Sequence, residues 1–150
     1  MTQKDSKPLP ANAIEAQGLL IKKIYKKFGR DSLPIIEDVL GRQGCALALK
    51  VKKKLQDNKL STVAKFFTKN WDPAFVKVLS ISDEKFHIQG KKCPFGLENT
   101  SRELCEAVMA IDREYFFTAT EGKTQLEILQ TVAAGDPLCD TIYSLKKNAD

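Results

Sequence analysis

The sequence predicts an α+β fold: N-terminal helices, then an antiparallel sheet with a long helix between two strand pairs. Two observations carry this prediction. Apolar residues recur every three or four positions through roughly the first 70 residues, and from about residue 75 they alternate with polar ones. Helices and strands are therefore segregated along the chain, which is typical of α+β domains. A length of 150 residues suits a single domain, 1–150, and the polar segment 1–11 is predicted to be a flexible tail.

The first predicted helix spans residues 12–28 and ends at Gly29, a residue type common just past a helix C-terminus. Asp31 or Ser32 is predicted to cap the second helix, because Pro34 then falls in its first turn, where a missing N–H has no cost.

This second helix is expected to continue to about Gln56, although Gly41 and Gly44 interrupt it. Glycine costs roughly 1 kcal/mol against alanine inside a helix, so the pair indicates close packing against another backbone, such as a dimer seam. Ser61 is the predicted cap of a short third helix that ends near Trp71.

Alternating residues predict strands at 75–82 and 85–89, with a turn between them. Residues 100–103, Thr-Ser-Arg-Glu, read as a capping box that opens the long helix. Strands at 124–133 and 139–145 complete the sheet.

Charge is distributed unevenly: residues 1–75 carry a net charge of +8 and residues 76–150 carry −3. Because the lysines of the basic half fall on predicted helices, we interpret them as a solvated face, and nucleic acid is not the expected partner. The sequence has no apolar run of about 18 residues and no apolar signal core, so we expect neither a membrane partner nor secretion. The expected location is the cytoplasm, where cysteines stay reduced.

Three cysteines in the C-terminal half are the main candidates for chemistry, and each has a different context. Cys93 lies in a strand-to-helix loop after Lys91 and Lys92, which are expected to lower its thiol pKa. Cys105 lies in the second turn of the long helix, and Cys139 begins the last strand after a Gly-Asp-Pro turn. Each is also compatible with an inert core position, since free cysteine is among the most buried residue types.

A metal site is one interpretation of the three thiols. Zinc or an iron–sulfur cluster normally takes four ligands, and Cys45 is the only fourth cysteine. The spacings of 12 and 34 residues lack a Cys-x-x-Cys pair, so the sequence signal for zinc is weak. His87, the sole histidine, is expected to be structural.

Nucleophilic catalysis is the competing interpretation, in which a thiolate works with an acidic helper. Glu106 and Asp136 are the candidate helpers in the sequence.

The segments around the cysteines resemble one known family. Cys93-Pro94-Phe95, Leu104-Cys105-Glu106 and the run 134–140, Ala-Gly-Asp-Pro-Leu-Cys-Asp, are similar to the L-2-amino-thiazoline-4-carboxylic acid hydrolase-like family, itself similar in outline to 4-vinyl reductase domain proteins. The resemblance implies an α+β domain, often a homodimer, with a ligand pocket between sheet and helices. It also implies ring-opening hydrolysis of a thiazoline acid as one activity.

Two hypotheses of different classes follow. In the first, Cys93, Cys105 and Cys139 hydrolyse a thiazoline-like or cyclic amidine acid, with Glu106 or Asp136 carrying the proton. The side chains expected to hold the substrate are those of Lys91, Lys92 and Phe95. In the second, the same cysteines serve a non-catalytic module that senses a small ligand, a metal or an iron–sulfur cluster. A third interpretation is a dimeric scaffold whose cysteines only fill the core.

Overall fold

A computed structural model describes residues 7–147 of the chain. The α-helices are α1 (Ala13–Phe28), α2 (Leu33–Lys52), α3 (Leu60–Phe67), α4 (Arg102–Val108) and α5 (Ala110–Ala119). The strands are β1 (Val76–Ile81), β2 (Lys85–Gly90), β3 (Thr124–Gln130) and β4 (Cys139–Leu145), and short 3-10 helices occupy Gly29–Ser32 and Val132–Ala134. Part of the predicted tail, residues 1–6, lies outside the described residues, and residues 7–11 form neither helix nor strand.

The four strands form one antiparallel sheet in the order β1-β2-β4-β3, which confirms the predicted α+β class. Phe86 of β2 pairs with Tyr143 of β4, and Tyr143 pairs with Leu126 of β3, so the three side chains lie on one face. Phe86 and Tyr143 are fully buried there, in a cluster with Phe116 of α5 and Val63 of α3. The helices therefore cover this face of the sheet.

Local signals place the first helix as predicted. Asn12 caps α1 by accepting a hydrogen bond from the Glu15 backbone N–H, and Gly29 ends the helix at φ 64°, a backbone conformation that suits glycine. Gly18 packs directly against the Phe95 carbonyl, where a Cβ would overlap the backbone.

The glycines of α2 serve packing inside the chain. A Cβ on Gly44 would overlap the carbonyl oxygen of Ile111 and lie 2.9 Å from its carbonyl carbon, whereas one on Gly41 would meet only side-chain atoms at 3.4 Å or more. The expected close backbone approach is thus present at Gly44, and it joins α2 to α5 of the same chain.

The predicted boundaries of two helices in the N-terminal half were wrong. Helix α2 ends at Lys52, before Gln56. Ser61 lies inside α3, which follows Lys59 and ends at Phe67, short of Trp71. The Asp57 side chain accepts a hydrogen bond from the Lys59 backbone N–H, so the helix is capped at Lys59, two residues before the predicted cap.

The predicted long helix between the two strand pairs is present but bent, because the chain turns at Met109 and divides it into α4 and α5. The cap of α4 is Ser101, which accepts the Leu104 backbone N–H, one residue after Thr100, the first residue of the predicted capping box, and Glu103 does not complete the box. Its carboxylate instead accepts a hydrogen bond from Tyr25 on α1 and pairs with Arg30.

The third strand stops at Gln130, short of the predicted residue 133. The Thr131 hydroxyl accepts a hydrogen bond from the Ala133 backbone N–H, and the Asp136 carboxylate accepts one from the Thr131 backbone N–H. These two bonds turn the backbone into a 3-10 helix before β4.

Candidate functional site

The three predicted cysteines converge at one end of the sheet. Cys139 pairs with Gly90 at the end of β2, and the chain leaves β2 directly into the loop that carries Cys93. Cys105, on α4, accepts a hydrogen bond of 3.1 Å from the Thr131 hydroxyl. We call Cys93, Cys105 and Cys139 the thiol cluster; each is partly buried and free of any disulfide.

Burial dominates the electrostatics of this cluster. Burial raises the pKa of the Cys105 thiol to about 11, although the hydrogen bond from Thr131 lowers it. Negative charge on Cys139 or Cys93 also raises this pKa. Burial likewise raises the pKa of Cys93, with a smaller contribution from Glu98. The expectation that Lys91 and Lys92 lower the Cys93 pKa was therefore wrong, because loss of solvent outweighs distant positive charge.

Two residues of the cluster's surroundings were missed by sequence reasoning. Glu98 accepts the Cys93 backbone N–H at 2.9 Å, and Thr131 contacts Cys105 as described above. Asp136 approaches the cluster only through Thr131, whose backbone N–H it binds at 2.9 Å. A carboxylate five residues after a Cys-Pro-Phe turn was the available signal for Glu98.

Other predicted site residues lie away from the thiols. Glu106 is exposed and pairs with Arg102 at 3.0 Å, one turn along the outer side of α4. Lys91 and Lys92 are exposed, and Phe95 packs against the core below α1.

The remaining histidine and cysteine have partners elsewhere. His87 binds Asp140 at 2.5 Å across β2 and β4, which agrees with the structural role expected for it. The Cys45 sulfur lies 3.2 Å from the Thr118 hydroxyl, between α2 and α5.

Over residues 7–147, no three or more His, Cys, Asp or Glu side chains are arranged so that they could hold a metal ion. The zinc and iron–sulfur hypotheses stay predictions. What the thiol cluster offers is three half-buried thiols beside the Glu98 carboxylate, and burial raises the pKa of two of them, Cys93 and Cys105.

A cleft of about 440 Å³ lies between α2, α4, α5 and β3, on the other side of α4 from the thiols; we call it the α4–β3 cleft. It is lined by apolar side chains (Leu33, Ala107, Met109, Leu126 and Ile128) and by charged ones (Arg30, Glu37, Arg102, Glu103, Glu106 and Arg113). This volume falls in the range of small-molecule sites.

The charged residues of the cleft are matched in pairs. Arg30 binds Glu103 at 3.1 Å, Arg102 binds Glu106 at 3.0 Å, and Arg113 binds Glu37 at 3.0 Å. Arg102 also donates to the Ile128 carbonyl, so its guanidinium links α4 to β3. Each arginine of the lining therefore has a glutamate partner within the same cleft.

A buried carboxyl lies close by, on α5. The Tyr143 hydroxyl donates to Asp112 at 2.7 Å, and burial raises the pKa of Asp112 to about 6 although the hydrogen bond lowers it. This pair ties α5 to the centre of the sheet.

Comparison with known proteins places the chain by fold. No family model matches it, and no curated protein matches its sequence. Two solved structures share the architecture. One is a trafficking protein particle complex subunit 3 from Naegleria fowleri, covalently bound to palmitic acid, with a TM-score of 0.58, 12% identity, and coverage of 89% of this chain and 95% of that one.

The other is the phenol-responsive sensory domain of the transcription activator PoxR with phenol, with a TM-score of 0.55, 13% identity, and coverage of 97% and 83%. At such identities the likeness establishes the α+β fold. Within residues 7–147, no helix combines the length and the apolar character needed to cross a membrane.

Proposed function

We propose that this chain is a non-catalytic module that binds a small molecule in the α4–β3 cleft. The observation that carries the proposal is the cleft itself: about 440 Å³, lined by apolar side chains and by arginine–glutamate pairs that hold its charged groups in place. Ligand pockets combine apolar side chains with oriented polar groups. The two solved structures described above each hold a small molecule with an apolar part, palmitic acid or phenol.

The charge balance around the cleft favours one class of ligand. Arg30, Arg102 and Arg113 face an equal number of carboxylates, so the cleft has little net charge. A neutral or zwitterionic molecule with a flat apolar body fits this balance. A carboxylate on such a ligand would take a bidentate bond from a guanidinium, while a cationic group would replace that arginine at its glutamate.

The thiols argue for binding rather than turnover. With burial raising the pKa of Cys105 to about 11 and raising that of Cys93 as well, both are neutral thiols near pH 7. A thiol nucleophile needs a thiolate or an adjacent base. The sole histidine is engaged with Asp140 on the sheet.

Hydrolysis of a thiazoline-like or cyclic amidine acid is the second candidate. A cyclic amidine acid is zwitterionic, so the balanced charge of the cleft favours it as a ligand. In this proposal Cys93, Cys105 and Cys139 act with Asp136 or Glu106, and it is the convergence of the three thiols beside Glu98, not the cleft, that supports a reaction.

The test is a binding titration by calorimetry with 2-aminothiazoline-4-carboxylate, phenol, benzoate and palmitate. The matched variants are Ile128→Trp, which fills the cleft from β3, and Leu129→Trp, one residue along on an exposed position outside the cleft lining. We expect binding that Ile128→Trp abolishes and Leu129→Trp preserves. Binding that survives Ile128→Trp, or no binding by any of the probes, counts against the cleft.

The same samples separate the two candidates. Product formation from the thiazoline acid, lost in Cys105→Ser, supports the hydrolase and overturns the non-catalytic module. Stoichiometric zinc or iron in anaerobically purified protein, lost in Cys139→Ser, establishes instead the metal-binding role of the thiol cluster.

We further propose that the chain works as a homodimer in the cytoplasm. Its four cysteines are all free, which fits a reducing compartment.

A further inference from the structure

Strand β3 is an edge of the sheet, because the order β1-β2-β4-β3 leaves it paired with β4 alone. In an antiparallel pair, successive residues of an edge strand direct their backbone N–H and C=O alternately towards the partner strand and away from it. The Lys146 N–H donates to the Lys123 carbonyl at 2.7 Å, and this bond fixes the alternation. Counting along the paired residues, Thr124, Leu126 and Ile128 direct their backbone groups away from β4.

The outward backbone groups of β3 differ in their surroundings. At one end, the Ile128 carbonyl accepts a hydrogen bond from the Arg102 guanidinium, which agrees with the outward direction. At the other end, Thr124 is buried, and its hydroxyl lies 3.3 Å from that of Thr120 on α5. Between these two ends, no side chain or loop of residues 7–147 bonds the N–H or the C=O of Leu126.

This free part of the edge forms one wall of the α4–β3 cleft. The side chains of Leu126 and Ile128 both line the cleft, and Met109 lies in the same lining. An edge strand with free backbone groups can pair with an added strand, and extended peptides bind many proteins in this way. The backbone of Leu126 therefore favours a ligand that has an extended peptide backbone of its own.

The charged pairs of the cleft suit the two ends of such a peptide. Arg102 on α4 and Arg113 on α5 are 11 residues apart, which is about 16 Å or less at a rise of ~1.5 Å per residue. Each is paired with a glutamate of the lining, Glu106 or Glu37, at 3.0 Å. An extended peptide of three or four residues spans roughly 10–14 Å. Its free amine and carboxylate match a lining with equal numbers of glutamates and arginines.

We propose that the α4–β3 cleft binds a short extended peptide with free termini, which adds to β3 as an antiparallel strand paired with Leu126. In this arrangement one peptide residue exchanges both hydrogen bonds with Leu126, its N–H donating to the Leu126 carbonyl and its C=O accepting the Leu126 N–H. The side chain of that residue lies on the same face as Leu126, so an apolar one enters the cleft. The inference rests on the proposed function and narrows its class of ligand.

The test is calorimetry on the full chain with the tripeptide Ala-Leu-Ala and two N-methylated forms of it. Methylation of the leucine amide removes the donor to the Leu126 carbonyl, and we expect binding at least ~10-fold weaker. Methylation of the third amide is the matched control, because that N–H points away from β3, and we expect a change of no more than ~2-fold. Ile128→Trp should abolish binding of Ala-Leu-Ala, whereas Leu129→Trp, outside the cleft lining, should preserve it.

Hydrogen exchange of the Leu126 amide, followed by NMR on the wild-type chain, tests the same bond without any substitution. Saturating Ala-Leu-Ala should slow this exchange by at least ~10-fold, because the N–H gains an acceptor. Benzoate has no peptide backbone and should not slow it. This measurement decides the matter if Ile128→Trp does not fold.

The contrary outcomes separate this inference from the proposed function. Equal binding of the two N-methylated peptides, or unchanged exchange at Leu126, refutes strand addition to β3. Binding of Ala-Leu-Ala that survives Ile128→Trp places the peptide outside the cleft and refutes the inference as well. A protein that binds phenol or benzoate but not Ala-Leu-Ala refutes the peptide and keeps the proposed function. A protein that binds none of them refutes both.

Discussion

Replacing Gly44 by alanine tests the packing of α2 on α5. Alanine would gain roughly 1 kcal/mol in helix propensity. Its Cβ, however, would overlap the Ile111 carbonyl oxygen and lie 2.9 Å from the carbonyl carbon, and both atoms belong to the backbone of a neighbouring helix. A backbone cannot move aside as a flexible side chain can, so the overpacking cost lies at the upper end of the usual ~1–3 kcal/mol or beyond it.

The net expectation for Gly44→Ala is a loss of about 2 kcal/mol in the free energy of unfolding. For a domain of this size that corresponds to a fall of roughly 4–8 °C in Tm. The control is Gly41→Ala in the same helix, where the added Cβ would meet the Glu114 Cγ at 3.4 Å and the Ala110 Cβ at 3.9 Å. We expect this variant to be as stable as wild type, or more stable by up to ~1 kcal/mol.

Urea unfolding followed by circular dichroism measures both variants under the same conditions. The comparison between the two alanines cancels their shared propensity gain, so the difference reports the backbone contact. A Gly44→Ala variant as stable as Gly41→Ala would show that α2 and α5 do not approach as closely as described, and the reasoning would fail.

Three further outcomes are expected. Burial raises the pKa of Asp112 from 3.8 to about 6, so protonation of this carboxyl stabilises the folded state fully below pH 3.8, and that stabilisation is lost as pH rises through 6. Asp112→Asn should therefore raise the free energy of unfolding at pH 8 by about 1–3 kcal/mol and leave it unchanged near pH 3.5. Urea unfolding across pH measures both values. With a pKa of about 11, Cys105 should react with iodoacetamide at pH 7.5 more slowly than a free thiol, and the reaction should become faster as pH rises. Mass spectrometry measures the alkylation, and a fast, pH-independent reaction would instead indicate a thiolate. Ser101→Ala removes the cap of α4 and its bond to Tyr25, so thermal unfolding should show a loss of about 1–2 kcal/mol, with unchanged stability contradicting the cap.

These experiments bear on function as well as on stability. Slow alkylation of Cys105 agrees with a binding module and counts against Cys105 as the nucleophile of a hydrolase. The Asp112 titration reports on the contact between α5 and β4 through Tyr143.

Local signals were sufficient for most of the fold. Gly29 and Pro34 bracket the first helix junction, Ser101 starts α4, and alternation of apolar residues marks β1, β2 and β4. Each of these depends on interactions within a few residues, which a sequence displays directly.

The failures occurred where distant groups intervene. Glu103 accepts a hydrogen bond from Tyr25, 78 residues away in the chain, instead of forming the predicted capping bond. Helical periodicity runs unbroken through Met109, so the bend between α4 and α5 has no sequence signal. The end of β3 depends on Asp136 reaching back to Thr131.

For the candidate sites, the sequence by itself determined the chemistry available: three cysteines in three local contexts. Only the tertiary structure decided their use. Pairing of β2 with β4 brings Cys139 beside the loop that carries Cys93, and loss of solvent there raises the pKa of the Cys93 thiol. The spacing of the cysteines in the sequence shows neither effect. The α4–β3 cleft combines side chains from four elements far apart in sequence. Gly44 is a further example: a glycine inside a helix indicates a close backbone approach, but only the fold determines that Ile111 is the residue it contacts.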